Sequence, residues 1–210
     1  MCDHNFAVIF GLVGGVGCGK SLVASLFREF GAEVVDADVI GHGLLCELEV
    51  QVLVRECFGD SVFCEVGGVS CVDRRELARR VFTPTELGQK ELALLNSILH
   101  PRITKIIEAQ MKSFKESGGK VLVLDVPLLL EAGMRGVVDR VVFVEASREN
   151  RIRRVSKRNW TETELNRREA TQLPINEKQQ QADFTINNNG TIDETRDQVK
   201  TLYTTHYGFR

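Results

Sequence analysis

The chain has no C-x-x-C pair, no histidine pair at zinc-finger spacing, and no apolar run approaching the ~20 residues that span a bilayer. These absences speak against a zinc finger, a dithiol redox motif and a membrane-spanning helix. The opening "MCDHNF" lacks the basic region and apolar stretch of a signal peptide. Strong charge of either sign is also missing. A net charge of −2 over 210 residues makes no whole-molecule case for nucleic acid or an anionic membrane, so any basic site must be local. The six cysteines, Cys2, Cys18, Cys46, Cys57, Cys64 and Cys71, are therefore expected reduced, in the cytoplasm or an organelle, rather than as a disulfide framework. No repeat or low-complexity segment interrupts the chain.

What is present reads as a globular α/β protein. "AVIFGLV" (Ala7–Val13) is a continuous apolar run suited to a strand buried on both faces. Leu22, Val23, Leu26, Phe27 and Phe30 then recur at helical spacing, with Gly31 as the stop. "EVVDAD" (Glu33–Asp38) reads as a second strand ending on two acids, which completes the opening of a parallel βαβ unit. From about Val39 to Ser117 the pattern is mostly helical, with a hairpin around Gly67–Gly68 and an interruption at Pro101. Strands return in "KVLVLDVPLLL" and "VVDRVVFVEA". Two charged helices, the short strand "FTINNNG" and a closing helix follow. The economical architecture is one parallel sheet with helices on both faces and a helical insertion after the second strand.

"GGVGCGKS" (Gly14–Ser21) matches G-x-x-x-x-G-K-[ST] between a strand and a helix, the context its mechanism requires. Backbone N–H groups and the positive helix end would cradle phosphate oxygens. Lys20 would add a charge at the β and γ phosphates, and Ser21 a hydroxyl for Mg²⁺. The dinucleotide fingerprint fails, because Gly15 and Gly17 are followed by Lys20 where a third glycine belongs. No asparagine precedes a lysine, so the guanine-reading N-K-x-D is missing. "DVIG" (Asp38–Gly41) comes too soon after the loop for a γ-phosphate switch.

A small-molecule kinase uses the same residues better, since an acid at the neighbouring strand end can take an acceptor hydroxyl's proton. Asp36 and Asp38 alternate along an extended backbone, so one can face a cleft; helix capping is the plain alternative. Arg151, Arg154 and Arg158 fall on one helix face at i, i+3 and i+7. They suit either a solvated helix or a lid that brings arginines over the transferring group.

The succession "GLVGGVGCGKS", "VVDAD", "VDRRELARRVF", "LLNSILHPRI", "VLDVPLLLE" and "AD" before "INNNG" resembles the dephospho-coenzyme A kinases over nearly the whole chain. The resemblance implies a three-layer P-loop NTPase fold of one domain, with an acceptor-binding insertion at about 39–117 and a lid at about 147–178. It implies ATP and Mg²⁺ as cofactors and dephospho-CoA as acceptor. Gly14, Gly15, Gly17, Cys18, Gly19, Lys20, Ser21 and Leu22 would hold the nucleotide phosphates. Asn188 and Gly190 would lie near its adenine. Asp38 would be the base for the ribose 3′-hydroxyl, with Arg74, His100, Pro127, Leu128 and Leu129 along the acceptor cleft. Arg154 and Arg158 would be lid arginines, and Asp125 would support Mg²⁺ beside Ser21.

Without the family each has a plainer role. His100 would end a helix before Pro101, Asp125 would be a strand-end acceptor, and Arg74 would pair with Asp73 or Glu76. Leu22, Leu130 and Asn159 depart from the family's usual Thr, Phe and acid. A kinase for another small acceptor, or a protein that only switches with bound nucleotide, are the competing readings.

Overall fold

The computed structural model describes residues 7–206. The "MCDHNF" start and Cys2 lie outside them. In chain order the elements are β1 (Val8–Val13), α1 (Lys20–Glu29), β2 (Glu33–Asp36), α2 (Ala37–Leu44), α3 (Leu48–Phe58), β3 (Phe63–Val66), β4 (Val69–Val72), α4 (Arg74–Val81), α5 (Glu86–Glu116), β5 (Val121–Asp125), β6 (Arg140–Glu145), α6 (Arg148–Ser156), α7 (Glu162–Glu169), α8 (Ile175–Gln180), β7 (Phe184–Asn187) and α9 (Ile192–His206). The chain divides into two compact units. One comprises residues up to Asp36 and from Gln110 onward; the other is Ala37–Ala109.

The first unit is built on a five-stranded, all-parallel sheet of order β2-β5-β1-β6-β7. All five residues of β5 are buried, as expected for a strand covered on both faces. Phe10 and Leu12 of β1 pack with Val23, Leu26 and Phe27 of α1 and with Val199 and Leu202 of α9. The rings of Phe10 and Phe27 lie 5.5 Å apart. Burying such a side chain is worth about 1.5–3 kcal/mol, so this cluster anchors α1 and the loop before it. The core strand β1 thus ends at the carboxyl edge of the sheet, where open α/β sheets place their ligands.

The second unit has its own core, including Leu44, Val50, Val54, Phe58, Leu77, Val81, Leu95 and Ile98. Arg80 of α4 ties it together by pairing with buried Glu91 of α5 and donating to the Phe58 carbonyl at 2.7 Å. The expected hairpin is there: β3 and β4 pair across Gly67 and Gly68, both at positive φ (59° and 79°), as a two-residue turn demands.

Four expectations need correction. The second strand stops at Asp36, and Ala37 and Asp38 open α2 instead. Alanine is the best helix former, and an acid in the first turn suits the helix dipole, so local preference favours a helix start here. Nor does Pro101 interrupt a helix: α5 runs through it, and His100 is helical and exposed. The roughly 3 kcal/mol penalty of an internal proline is outweighed by burial of Leu95, Ile98 and Ile107 on either side. Arg102 meanwhile donates to the Ile98 carbonyl at 2.7 Å. "PLLL" is a turn rather than part of β5. Finally, α6 ends at Ser156, so Arg158 lies in the closing turn, off the helix face that carries Arg151 and Arg154.

That turn accounts for Asn159. Its φ is +60°, with Trp160 N–H donating to the Val155 carbonyl and Asn159 N–H to the Ser156 carbonyl. This is a helix-ending motif with a left-handed residue, where asparagine is tolerated far better than most side chains. Among the described residues no helix is long and apolar enough to cross a membrane.

Candidate active site

The loop Gly14–Ser21 joins the central strand β1 to α1, and its shape is set from behind. Sequence reasoning assigned its bare backbone to the approach of phosphate. The structure adds a second cause. A Cβ on Gly14 would stand 2.6 Å from the Val144 carbonyl of β6, and one on Gly19 would meet the Asn188 amide. Gly19 also caps α1 at φ +98°, in the left-handed region.

Cys18 closes the loop by donating its N–H to the Gly15 carbonyl at 3.1 Å. Its own carbonyl accepts Nδ2 of Asn188 at 2.7 Å and Nη1 of Arg154 at 2.8 Å. Arg154 Nη2 donates to the Asn188 carbonyl at 2.6 Å, and Thr195 Oγ1 donates to Asn188 Oδ1 at 3.1 Å. Asn188 is buried, and its side-chain amide links the loop, through Nδ2 to the Cys18 carbonyl, to α9, through Oδ1 and the Thr195 hydroxyl. Because a trans peptide sets C=O and N–H in opposite directions, a Cys18 carbonyl held backward turns the Gly19 N–H toward the other side of the loop. The amides of Lys20, Ser21 and Leu22 follow in the first turn of α1, where no intrahelical carbonyl serves them. The result is a row of donors at a positive helix end, suited to an anion.

Ser21 donates its hydroxyl to Oδ2 of Asp125 at 3.3 Å. Asp125 is buried at the end of β5, in register with Asp36 at the end of β2. Among the described residues no cluster of three or more His, Cys, Asp or Glu could hold a metal. A hydroxyl beside a carboxylate fits an octahedral Mg²⁺ that shares phosphate oxygens and keeps water, which needs only one or two protein ligands.

Around the loop the first unit carries a polar frame that sequence reasoning missed. Lys178 of α8 is buried and pairs at 2.8 Å with Glu131, whose same oxygen accepts the Leu173 N–H at 2.9 Å. Burial lowers the Lys178 pKa against the opposing pull of Glu131. Burial works to raise the Glu131 carboxyl, but hydrogen bonds led by Lys178 outweigh it and hold it below the usual range. Glu131 ends the quoted "VLDVPLLLE", yet nothing in that pattern announces its partner 47 positions on. Leu129 is packed beneath β1, 2.7 Å from where a Cβ on Gly11 would stand, while Pro127 and Leu128 are half-buried. Gly190 sits against Glu194, which accepts the Thr191 N–H at 2.7 Å and so starts α9 with a reciprocal cap.

Thus the sheet unit gathers Gly14 to Leu22, Asp125, Arg154 and Asn188 at one edge. Arg158 is exposed in its turn. Asp38, Arg74 and His100 belong to the second unit, exposed in the first turn of α2, at the start of α4 and within α5. Arg74 has a capping neighbour instead of the expected pair: Asp73 accepts the N–H groups of Arg75 and Glu76, and Glu76 pairs with Arg79.

The family model for dephospho-CoA kinase (CoaE) matches residues 8–194. The chain belongs to the dephospho-CoA kinase family. It is 36% identical over 196 residues to the dephospho-CoA kinase of Carboxydothermus hydrogenoformans, covering 92% of each chain. A Thermus thermophilus crystal structure, TT1252, superposes with a TM-score of 0.74 at 30% identity, covering 95% of this chain and 97% of that one. Shikimate kinase from Acinetobacter baumannii, at 15% identity and a TM-score of 0.53 over 96% of this chain and 93% of that one, shares the fold alone. Family membership makes ATP the nucleotide for the loop, in keeping with its lack of a guanine-reading motif.

Proposed function

We propose that this protein transfers the γ-phosphoryl group of ATP to the ribose 3′-hydroxyl of dephospho-CoA, giving coenzyme A. The observation that carries phosphoryl transfer is the Cys18 peptide, held backward by Asn188 and Arg154 so that the loop's donors face an anion. The acceptor follows from the family match over residues 8–194.

The loop amides and Lys20 bind the β and γ phosphates, spreading the charge that builds as the bond to the leaving oxygen stretches. Ser21 and Asp125 would hold Mg²⁺. When bound, that ion neutralises phosphate charge and orients the β and γ oxygens. Asp38 takes the proton of the 3′-hydroxyl, leaving an oxygen to attack in line. For the acceptor, the family pattern offers Arg74 and His100 within the insertion and the segment Pro127, Leu128 and Leu129 within the sheet unit. The segment at about 147–178 acts as the lid, with Arg158 reaching the transferring group. Arg154 acts from behind the loop as well, through the carbonyls it holds. The Asn188–Gly190 segment, beside the cap of α9, borders the adenine in this reading. The reading places the reaction in the cytoplasm or an organelle.

The test is ADP release with ATP and Mg²⁺ in the presence of dephospho-CoA, AMP, adenosine or no acceptor. Release only with dephospho-CoA is the expected result. Release with another acceptor would keep the kinase and discard this substrate. Slow release indifferent to every acceptor would point to a nucleotide switch.

A further inference from the structure

Arg151 is a buried cation that the mechanism above leaves without a task. It is 5% exposed, and its Nε is buried with no hydrogen-bond acceptor among the described residues. Burial lowers its pKa, yet a guanidinium remains charged. Nη1 pairs with Oε1 of Glu169 and lies 2.9 Å from where a Cβ on Gly15 would stand, so the cation is set against the phosphate loop itself. Glu169 Oε2 also lies 3.7 Å from Arg148 Nη1. These three side chains, with Gly15, Gln172 and Ile175, line a cavity of about 300 Å³ beside the loop, within the size range of small-ligand sites. A carboxylate and a phosphate present the same oxygen edge to a guanidinium fork, so they compete for it.

We propose that Arg151 is a phosphate-binding residue of this site and that Glu169 is its resting counter-ion, displaced by a phosphate oxygen of the nucleotide. The inference rests on the nucleotide reading of the loop given above. Glu169 leaves with its second cation, Arg148, still at hand, so the exchange strands no carboxylate. The orphan Nε supplies a further donor for the incoming group. An ordinary latch between α6 and α7 would use the same ion pair, but the two roles predict opposite signs for one substitution.

The experiment measures calorimetric binding of ATP, inorganic tripolyphosphate and adenosine to the full chain as wild type, Glu169→Gln and Arg151→Met. Removing the competing charge in Glu169→Gln should tighten ATP and tripolyphosphate by roughly two- to fivefold, the worth of one partly screened ion pair. Arg151→Met should weaken both by a similar factor, and adenosine should not respond to either change. If Glu169→Gln weakens tripolyphosphate or leaves it unchanged, the pair is a latch and the proposal fails. An equal shift for adenosine would overturn it too. Should Arg151→Met lose its cooperative melting transition, Glu169→Gln alone decides, because glutamine keeps the shape and the hydrogen-bond acceptor. Dephospho-CoA-dependent ADP release is measured on the same wild-type preparation. Its absence with the tripolyphosphate shifts intact would remove the acceptor while supporting the phosphate contact.

Discussion

Around the phosphate loop, polar groups are spent on one another before any ligand arrives. The Cys18 carbonyl has two donors, and the Asn188 amide is bonded at both its nitrogen and its oxygen. Buried Lys178 closes a further network with Glu131 and the Leu173 N–H. In the helical unit the residues implied for the acceptor stand exposed on three separate helices, as Asp38, Arg74 and His100 do. The difference follows from what each must hold. A phosphate is recognised by peptide N–H groups, which cannot swing independently and must be aimed by fixing their neighbours. A residue that works through its side chain need not be fixed in advance in this way, and leaving it exposed spares the cost of burying a charge.

This contrast sets the order of expected effects. Asp38→Asn should have the largest, a loss of turnover on the order of 10²- to 10⁴-fold with ATP affinity unchanged and the cooperative melting transition retained. Wild-type turnover in that variant would remove the proposed base. Lys20→Ala comes next, with turnover down on the order of 10²- to 10³-fold. Unlike Asp38→Asn it should also weaken ATP binding, so unchanged affinity would detach Lys20 from the phosphates.

Asn188→Ala should lower stability by about 1–3 kcal/mol, since it leaves the buried Thr195 hydroxyl without the Asn188 acceptor and the Cys18 carbonyl with one donor fewer. It should also weaken ATP binding by loosening the phosphate loop. A drop in melting temperature with ATP affinity intact would show that the loop holds its shape without this support.

The smallest effect concerns acid. Glu131 has its pKa depressed in the folded state, so its share of stability is present above the unfolded value of about 4.5 and is lost as pH falls through the lower folded value. Melting temperature followed from pH 6 down through that window should therefore fall less steeply for Glu131→Gln than for the wild type. Parallel slopes would mean that the pair adds no acid-sensitive stability.

The phosphate loop was legible because its requirement is local: glycines, Lys20 and Ser21 between an apolar strand and a helical pattern. The hairpin at Gly67–Gly68 was legible for the same reason, since two positive-φ residues suffice to turn the chain. The ends of elements were not. Whether the chain is strand or helix after Asp36 turns on a balance of a few tenths of a kcal/mol per residue, and Pro101 was carried by burial that no neighbouring residue reveals. The short helix α8 escaped because six residues give too few repeats for a period to show.

From the sequence alone came the α/β class, the phosphate loop and its nucleotide, and the resemblance that named the acceptor. Only the tertiary structure decided how the loop is held: that Asn188 serves the Cys18 carbonyl 170 positions away, that Lys178 meets Glu131, and that Arg151 is sealed against Gly15 with Glu169 as its partner. Motifs are short because covalent neighbours set backbone geometry. Satisfying a buried polar group takes a partner at about 3 Å in space, and the parallel sheet brings β1, β6 and β7 together from far apart in the chain.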